Sequence, residues 1–168
     1  MLWFSDLGRG KASLEQQLIG LGPLLDSVHG KIMLDVGCAE GLIALECQKR
    51  GAQVLGIESR PQAVAIANGL GVQVVQADAQ TWQPAKMYDV VLLLGVVHKL
   101  VDPGGATLRF LRSARTAVLR LPPGMWPVLT DSRSGSIPVD LAGLAAECSM
   151  RVRQMEPGPA GQIVVYLS

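Results

Sequence analysis

The chain has 168 residues, of which 49% are hydrophobic and 17% charged, and its formal net charge at pH 7 is +1. That length fits one domain over residues 1–168 and leaves little room for a second, and the composition excludes a disordered chain. With no basic or acidic tail, long-range attraction to nucleic acid or to an anionic membrane is excluded as a property of the whole molecule.

The spacing of Leu14, Leu18, Leu21 and Leu25 predicts a helix over residues 11–28, within an N-terminal helical segment of residues 1–30. Ser13 followed by Gln16 is a capping signal at its start. Residues 31–37 (KIMLDVG) read as a buried strand ending at glycine, and residues 40–50 as a helix. A strand over 53–58, a helix over 61–70 that opens with proline, and a strand over 72–77 follow. The run 88–94 (YDVVLLL) is apolar throughout most of its length and is expected mid-sheet, covered on both faces. A helix over 104–114 and a strand over 116–121 come next. Residues 122–136 carry Pro122, Pro123 and Pro127 and several serines and glycines, and read as a loop. A helix over 138–147 and strands near 150–155 and 162–167 close the chain. This alternation predicts an α/β fold, doubly wound and Rossmann-like, with a mostly parallel seven-stranded sheet. The short EPGPAG connection predicts a C-terminal antiparallel hairpin.

Cys38, Cys47 and Cys148 are odd in number and widely spaced, with no metal-ligand pairing, as expected of a reduced, cytoplasmic protein without a metal site. The longest apolar stretch, Val90 to Val97, is far too short to span a bilayer, and the first residues lack a signal-peptide pattern.

The segment LDVGCAEG, Leu34 to Gly41, ends a strand and opens a helix. Gly37 allows a sharp turn and Gly41 a close approach to the helix. Asp35, two residues before the first glycine, would repel a phosphate and attract a cation. Glu58 ends the second strand, placed to accept hydrogen bonds from both hydroxyls of a ribose, with Ser59 beside it. Asp78 ends the third strand, where its carboxylate could accept from an adenine amino group while the Ala79 amide meets a ring nitrogen. Trp82 either covers the adenine or belongs to the core. Asp89 opens the fourth strand and reads as structural. Gly95 to His98 lie at that strand's carboxyl edge.

These four stretches, in this order, resemble the class I S-adenosylmethionine-dependent methyltransferases, over about residues 31–121 and more loosely over the final hairpin. The segment VVHKLVDPGG looks like the one after strand four in the groups acting on small molecules, with His98 and Leu100 matching an HHL-type stretch and Lys99 replacing its second histidine. The resemblance implies S-adenosyl-L-methionine as cofactor, with Asp35, Gly37, Cys38 and Gly41 on the methionine side, Glu58 at the ribose and Asp78 at the adenine. Ala39 stands where that family usually has glycine, and its methyl group is expected to sit there with φ negative.

In such a site the protein brings a nucleophile in line with the sulfur–methyl bond, and a hydroxyl nucleophile gains from a base. His98 is the edge residue with a suitable ordinary pKa, as base or orienting group; a loop histidine bonded to backbone is the alternative. The expected acceptor is an oxygen or carbon of a small molecule. No Asn/Asp-Pro-Pro-aromatic segment or Pro-Cys pair follows strand four, and aromatic residues are only 4%. Base-amino, glutamine and cysteine-mediated pyrimidine chemistry are therefore disfavoured. Arg109, Arg112 and Arg115 lie three apart and read as a solvated helix face rather than an RNA contact. In the candidate acceptor loop 122–136, Trp126 and Arg133 are the candidate substrate contacts, with Trp126 as a plug onto the body the alternative. Few residues remain for a lid, so the acceptor site is either open or completed by a homodimer mate or partner subunit. Trp3 and Phe4 could cover the cofactor or form an interface, or fray. The competing readings are a non-catalytic methyltransferase-like binding or scaffold subunit and, less favoured, an RNA methyltransferase or an NAD-dependent oxidoreductase, the last lacking its GxGxxG turn.

Overall fold

The computed structural model describes residues 13–130 and 138–168. Trp3, Phe4 and Arg133 lie outside the described residues. The helix expected over 11–28 is, where described, two short ones, α1 (Leu14–Leu18) and α2 (Gly22–Leu25). The break is at Gly20, whose φ is +79°. A side chain there would also strike the Pro157 carbonyl oxygen, 2.7 Å from the ideal Cβ position. The capping box does form: the Gln16 amide donates to Ser13 Oγ and the Ser13 amide to Gln16 Oε1.

The remaining elements alternate as their sequence periods require. They are β1 (Ile32–Val36), α3 (Leu42–Lys49), β2 (Gln53–Glu58), α4 (Pro61–Gly69), β3 (Gln73–Gln76), β4 (Tyr88–Leu94), α5 (Pro103–Leu111) and β5 (Ala114–Leu121). A short antiparallel ladder of β6 (Val128–Leu129) and β7 (Val139–Asp140) follows, then α6 (Leu141–Glu147), β8 (Val152–Pro157) and β9 (Ile163–Leu167). Proline opens α4 and α5 where a missing amide hydrogen costs nothing, and the Asp102 and Asp140 side chains cap α5 and α6.

The main sheet has seven strands in the order β3-β2-β1-β4-β5-β9-β8. The first five are parallel; β9 runs antiparallel between β5 and β8. β4 takes the central place that its apolar run requires. One face carries Phe110 and Leu111 of α5 and Leu141 and Ala145 of α6, packed on Leu34, Val91 and Leu119. The other carries Leu21 and Leu24 of the N-terminal segment with α3 and α4, packed on Met33, Leu92 and Val118. Parallel strands wound on both faces leave their carboxyl ends open between the first and fourth strands, where such sheets bind ligands.

Candidate functional site

The turn after β1 crosses the carboxyl ends of β1 and β2. Gly37 and Gly41 have φ of +69° and +75°. A Cβ on Gly41 would lie 3.0 Å from Ala67 Cβ, so glycine there lets the start of α3 close on α4. The amides of Gly37 and Cys38 both donate to the Ile57 carbonyl, at 2.8 and 3.1 Å, and the Gly41 amide donates to the Cys38 carbonyl. The Ala39 amide donates to Glu58 Oε2 at 3.0 Å. These four donors are engaged within the chain, which removes the cradle a diphosphate needs.

Ala39 corrects one expectation. Its φ is +50°, in the left-handed region rather than at negative φ. That conformation costs a residue with a Cβ about 1–2 kcal/mol. The Ala39–Glu58 bond and the closed turn around it hold the backbone there.

Three carboxylates surround this turn. Asp35, Glu40 and Glu58 are 4%, 4% and 6% exposed. Asp35 makes no side-chain hydrogen bond among the described residues. Burial pushes its carboxyl up to about 7, the Arg120 guanidinium pulls it back and Glu58 adds to the rise. Glu40 Oε2 is buried with no hydrogen-bond partner. Glu58 is well supplied: besides the Ala39 amide it accepts from the Arg60 amide and Nε, each at 3.0 Å. Burial raises its carboxyl, but the Arg60 contacts and the Ala39 amide outweigh it and hold it below the usual range. Ser59 is exposed, its hydroxyl 3.5 Å from Glu58 Oε1. The Cys38 thiol is buried under the turn against Gly56, and burial with the nearby Asp35 holds it strongly protonated. Its side chain is therefore a brace in the core.

At the end of β3 the chain turns on Asp78, which is exposed and accepts from the Gln80 amide at 2.8 Å. Ala79 beside it is buried. Trp82 stacks on Phe110, centroids 6.5 Å apart, and so joins the core rather than an adenine face. Beyond β4, Gly95 has φ +69°, and His98 sits half-buried in the 3-10 turn Val97–Lys99. Asp89 is structural as expected: it accepts from the Ile32 amide and pairs with Arg115.

The three arginines do not share one helix face: Arg109 is on α5, Arg112 is its C-cap residue and Arg115 lies on β5. Arg112 and Arg115 make exposed ion pairs with Glu147 and Asp89. Arg109 instead folds over β3's exit, donating to the carbonyls of Ala79 at 2.6 Å and Gln80 at 3.0 Å. Gln80 in turn accepts from the Val101 and Asp102 amides, so the turn after β3 is tied to the segment after β4. A second overlooked residue is Arg120, 6% exposed on β5. A charge inside the apolar run ARTAVLRL was its signal.

Trp126 is half-buried against the core and also lines a groove of about 410 Å³ with Met155, Glu156 and Ile163, at the carboxyl edge beyond β5. A second, basic groove of about 590 Å³ runs along α5 past Lys86 and Arg112, toward the amino ends of β4 and β5 and away from the turn. No group of side chains suited to a metal ion occurs among the described residues, and no helix among them is long and apolar enough to cross a membrane.

A methyltransferase domain family matches residues 15–155. The ubiquinone biosynthesis O-methyltransferase of Rhodopseudomonas palustris strain BisA53 is 31% identical over 133 residues, 76% of this chain and 50% of that protein. Its namesake in Bradyrhizobium diazoefficiens is 29% identical over 116 residues, 66% of this chain and 44% of that protein. The chain thus spans about half the length of the curated relatives it matches. Among solved structures, magnesium protoporphyrin IX methyltransferase from Synechocystis, with bound SAM, superposes with a TM-score of 0.72 at 14% identity, over 95% of this chain and 86% of that one. A Burkholderia thailandensis 1,6-didemethyltoxoflavin N1-methyltransferase superposes at 0.70 and 16% identity, over 96% and 80%. At these identities the superpositions establish the fold.

Proposed function

The chain belongs to the methyltransferase domain family, and from that premise we propose that it transfers a methyl group from S-adenosylmethionine to an oxygen or carbon of a small molecule. The observation that carries the cofactor's identity is the pairing of three buried carboxylates with a turn whose amides face the chain. Such a crevice suits a cationic nucleoside and repels a dinucleotide's diphosphate. Glu40 Oε2, buried without a partner, fits a site that a ligand completes.

S-adenosylmethionine, when bound, supplies a methyl group made electrophilic by its sulfonium. Asp35 faces the ammonium of its amino-acid end, beside the backbone of Gly37, Cys38 and Gly41. Glu58, with Ser59 adjacent, accepts from the ribose hydroxyls, which requires the partly exposed Arg60 side chain to yield part of its hold on the carboxylate. Asp78 accepts from the adenine amino group, and the Ala79 amide donates to a ring nitrogen. Arg109 keeps both in place by holding the Ala79 and Gln80 carbonyls. Gly95 leaves space at the edge of β4, and His98 takes the proton of a hydroxyl acceptor.

The groove under Trp126 and Met155 is the acceptor side of this reading, and its apolar walls fit a small ring-bearing compound. The O-methyltransferase names of the relatives point the same way. The groove is open to one side, where a second copy or a partner subunit would complete it. Free thiols at Cys38, Cys47 and Cys148 fit work in the cytoplasm.

A non-catalytic binding subunit is the second reading, favoured by the Arg60 side chain on Glu58 and by Ala39 in place of a glycine. Incubation with methyl-labelled donor and a panel of hydroxylated ring compounds separates the two. Label transfer that vanishes in Glu58→Ala supports the enzyme. Tight S-adenosylhomocysteine binding with no transfer to any extractable cell component supports the binding subunit.

A further inference from the structure

Arg120 and Asp35 are buried opposite charges on one face of the sheet that do not meet. The register Asp35↔Leu92↔Val118 sets Asp35 level with Val118, two strands away. Arg120 is one pleat further toward the carboxyl edge, on the same face. Strand spacing and rise put the two Cα atoms about 12 Å apart. Arg120 donates through Nη1 to the Gln17 carbonyl at 2.7 Å and through Nη2 to Gln17 Oε1 at 2.9 Å. No carboxylate pairs with it among the described residues, and Asp35 has no hydrogen-bond donor there either.

Both groups are more than nine-tenths buried, and a buried charge is costly unless an opposite charge or full hydrogen bonding compensates it. The two Gln17 acceptors engage two of a guanidinium's five N–H donors, and both are neutral. A role confined to holding the short helix α1 leaves that charge, among the described residues, with neutral hydrogen-bond partners only. A ligand carrying a cation and an anion on adjacent atoms would complement both residues at once.

We propose that Arg120 and Asp35 form a clamp for an α-amino-acid group, Arg120 taking the carboxylate and Asp35 the ammonium, with Gln17 of α1 holding the guanidinium in place. The clamp rests on the methyl-transfer reading and gives Arg120 a specificity role for the donor's amino-acid end. It also couples the N-terminal segment to ligand binding, because the same guanidinium touches both.

The test is a calorimetric series with the full chain and three ligands: S-adenosylhomocysteine, its decarboxylated analogue and its deaminated analogue. The wild type should prefer S-adenosylhomocysteine to each analogue by about tenfold to a hundredfold, the span of charge-assisted hydrogen bonds. Arg120→Met should erase the preference over the decarboxylated analogue, and Asp35→Asn the preference over the deaminated one. Gln17→Leu, which removes the Oε1 contact at Nη2 but keeps the backbone carbonyl contact at Nη1, should leave the preference over the deaminated analogue intact and shrink, without erasing, the preference over the decarboxylated one. Equal wild-type affinity for S-adenosylhomocysteine and its decarboxylated analogue would overturn the clamp and leave the methyl-transfer reading standing. Parallel weakening of all three ligands in Arg120→Met would do the same, assigning Arg120 to the helix alone. Failure of the wild type to bind any of the three would overturn both.

Discussion

The backbone amide of Ala39 donates to Oε2 of Glu58 at 3.0 Å, so the turn after β1 and the acid that ends β2 are locked to one another. The bond spans 19 residues of sequence and joins the two parts of the crevice that the proposed function assigns to the donor nucleoside. It also explains how a residue with a Cβ persists at φ +50°: the turn is determined by what surrounds it.

Ala39→Gly should therefore stabilise the protein. Removing the Cβ from the left-handed conformation relieves about 1 kcal/mol, which for a chain of this length corresponds to a rise in Tm of about 2–4 °C. A thermal melt checks it. A melting temperature unchanged or lowered would mean that the alanine is not strained.

Asp35 gives the protein a pH signature. Its carboxyl is raised from 3.8 to about 7, so across that window the folded state holds a proton that the unfolded chain has released. Stability is fully present below about pH 4, falls as pH rises to about 7 and is flat beyond, a total of about 4 kcal/mol in the absence of ligand. Denaturant unfolding at pH 5 and pH 7.5 should show this decline, and Asp35→Asn should remove it. Binding of S-adenosylhomocysteine at pH 6 should release a proton as Asp35 ionises to meet the ammonium, visible as buffer-dependent heat of binding. Heat independent of the buffer would contradict that pairing.

Arg109, in the last turn of α5, and Arg112, its C-cap residue, carry different weights. Arg109→Ala leaves the Ala79 and Gln80 carbonyls without their donor and should cost about 2 kcal/mol of stability, with weaker binding of S-adenosylhomocysteine. Arg112→Ala removes an ion pair whose side chains are 63% and 52% exposed, and should change stability by less than about 1 kcal/mol. Denaturation midpoints and calorimetric affinities of the two variants decide whether Arg109 positions the turn after β3.

His98→Ala should lower the turnover of a hydroxyl acceptor by about 10²–10⁴, the usual range for a lost general base, and leave the affinity for S-adenosylhomocysteine unchanged. Unaltered turnover would assign His98 to the backbone of its loop.

Most of the architecture was legible because periodicity reports on burial. YDVVLLL reads as a doubly covered strand and occupies the middle of the sheet, while EPGPAG is too short for a crossover and joins an antiparallel pair. The leucine spacing over 11–28 continues through Gly20 and so hides the break, which contact with Pro157 and Val164, far along the chain, fixes. Asp35, Glu58 and Asp78 stand out in the sequence as candidates because acids at strand ends have few local reasons to be there. Trp82 was ambiguous in sequence, and its partner Phe110 decided it. Arg109 escapes a sequence reading because three arginines spaced three apart read as a solvated face, and Arg120 because a single arginine gives no hint of its partner. What they touch, Ala79 and Gln17, lies 30 and 103 residues away in sequence.

The most direct test of the central claim is a titration of the purified chain with S-adenosylhomocysteine and, separately, with NAD. Binding of the thioether nucleoside that is lost in Glu58→Ala, with no heat from NAD, is the expected result. Binding of NAD without the nucleoside would contradict the view that the acids around this turn select a cation.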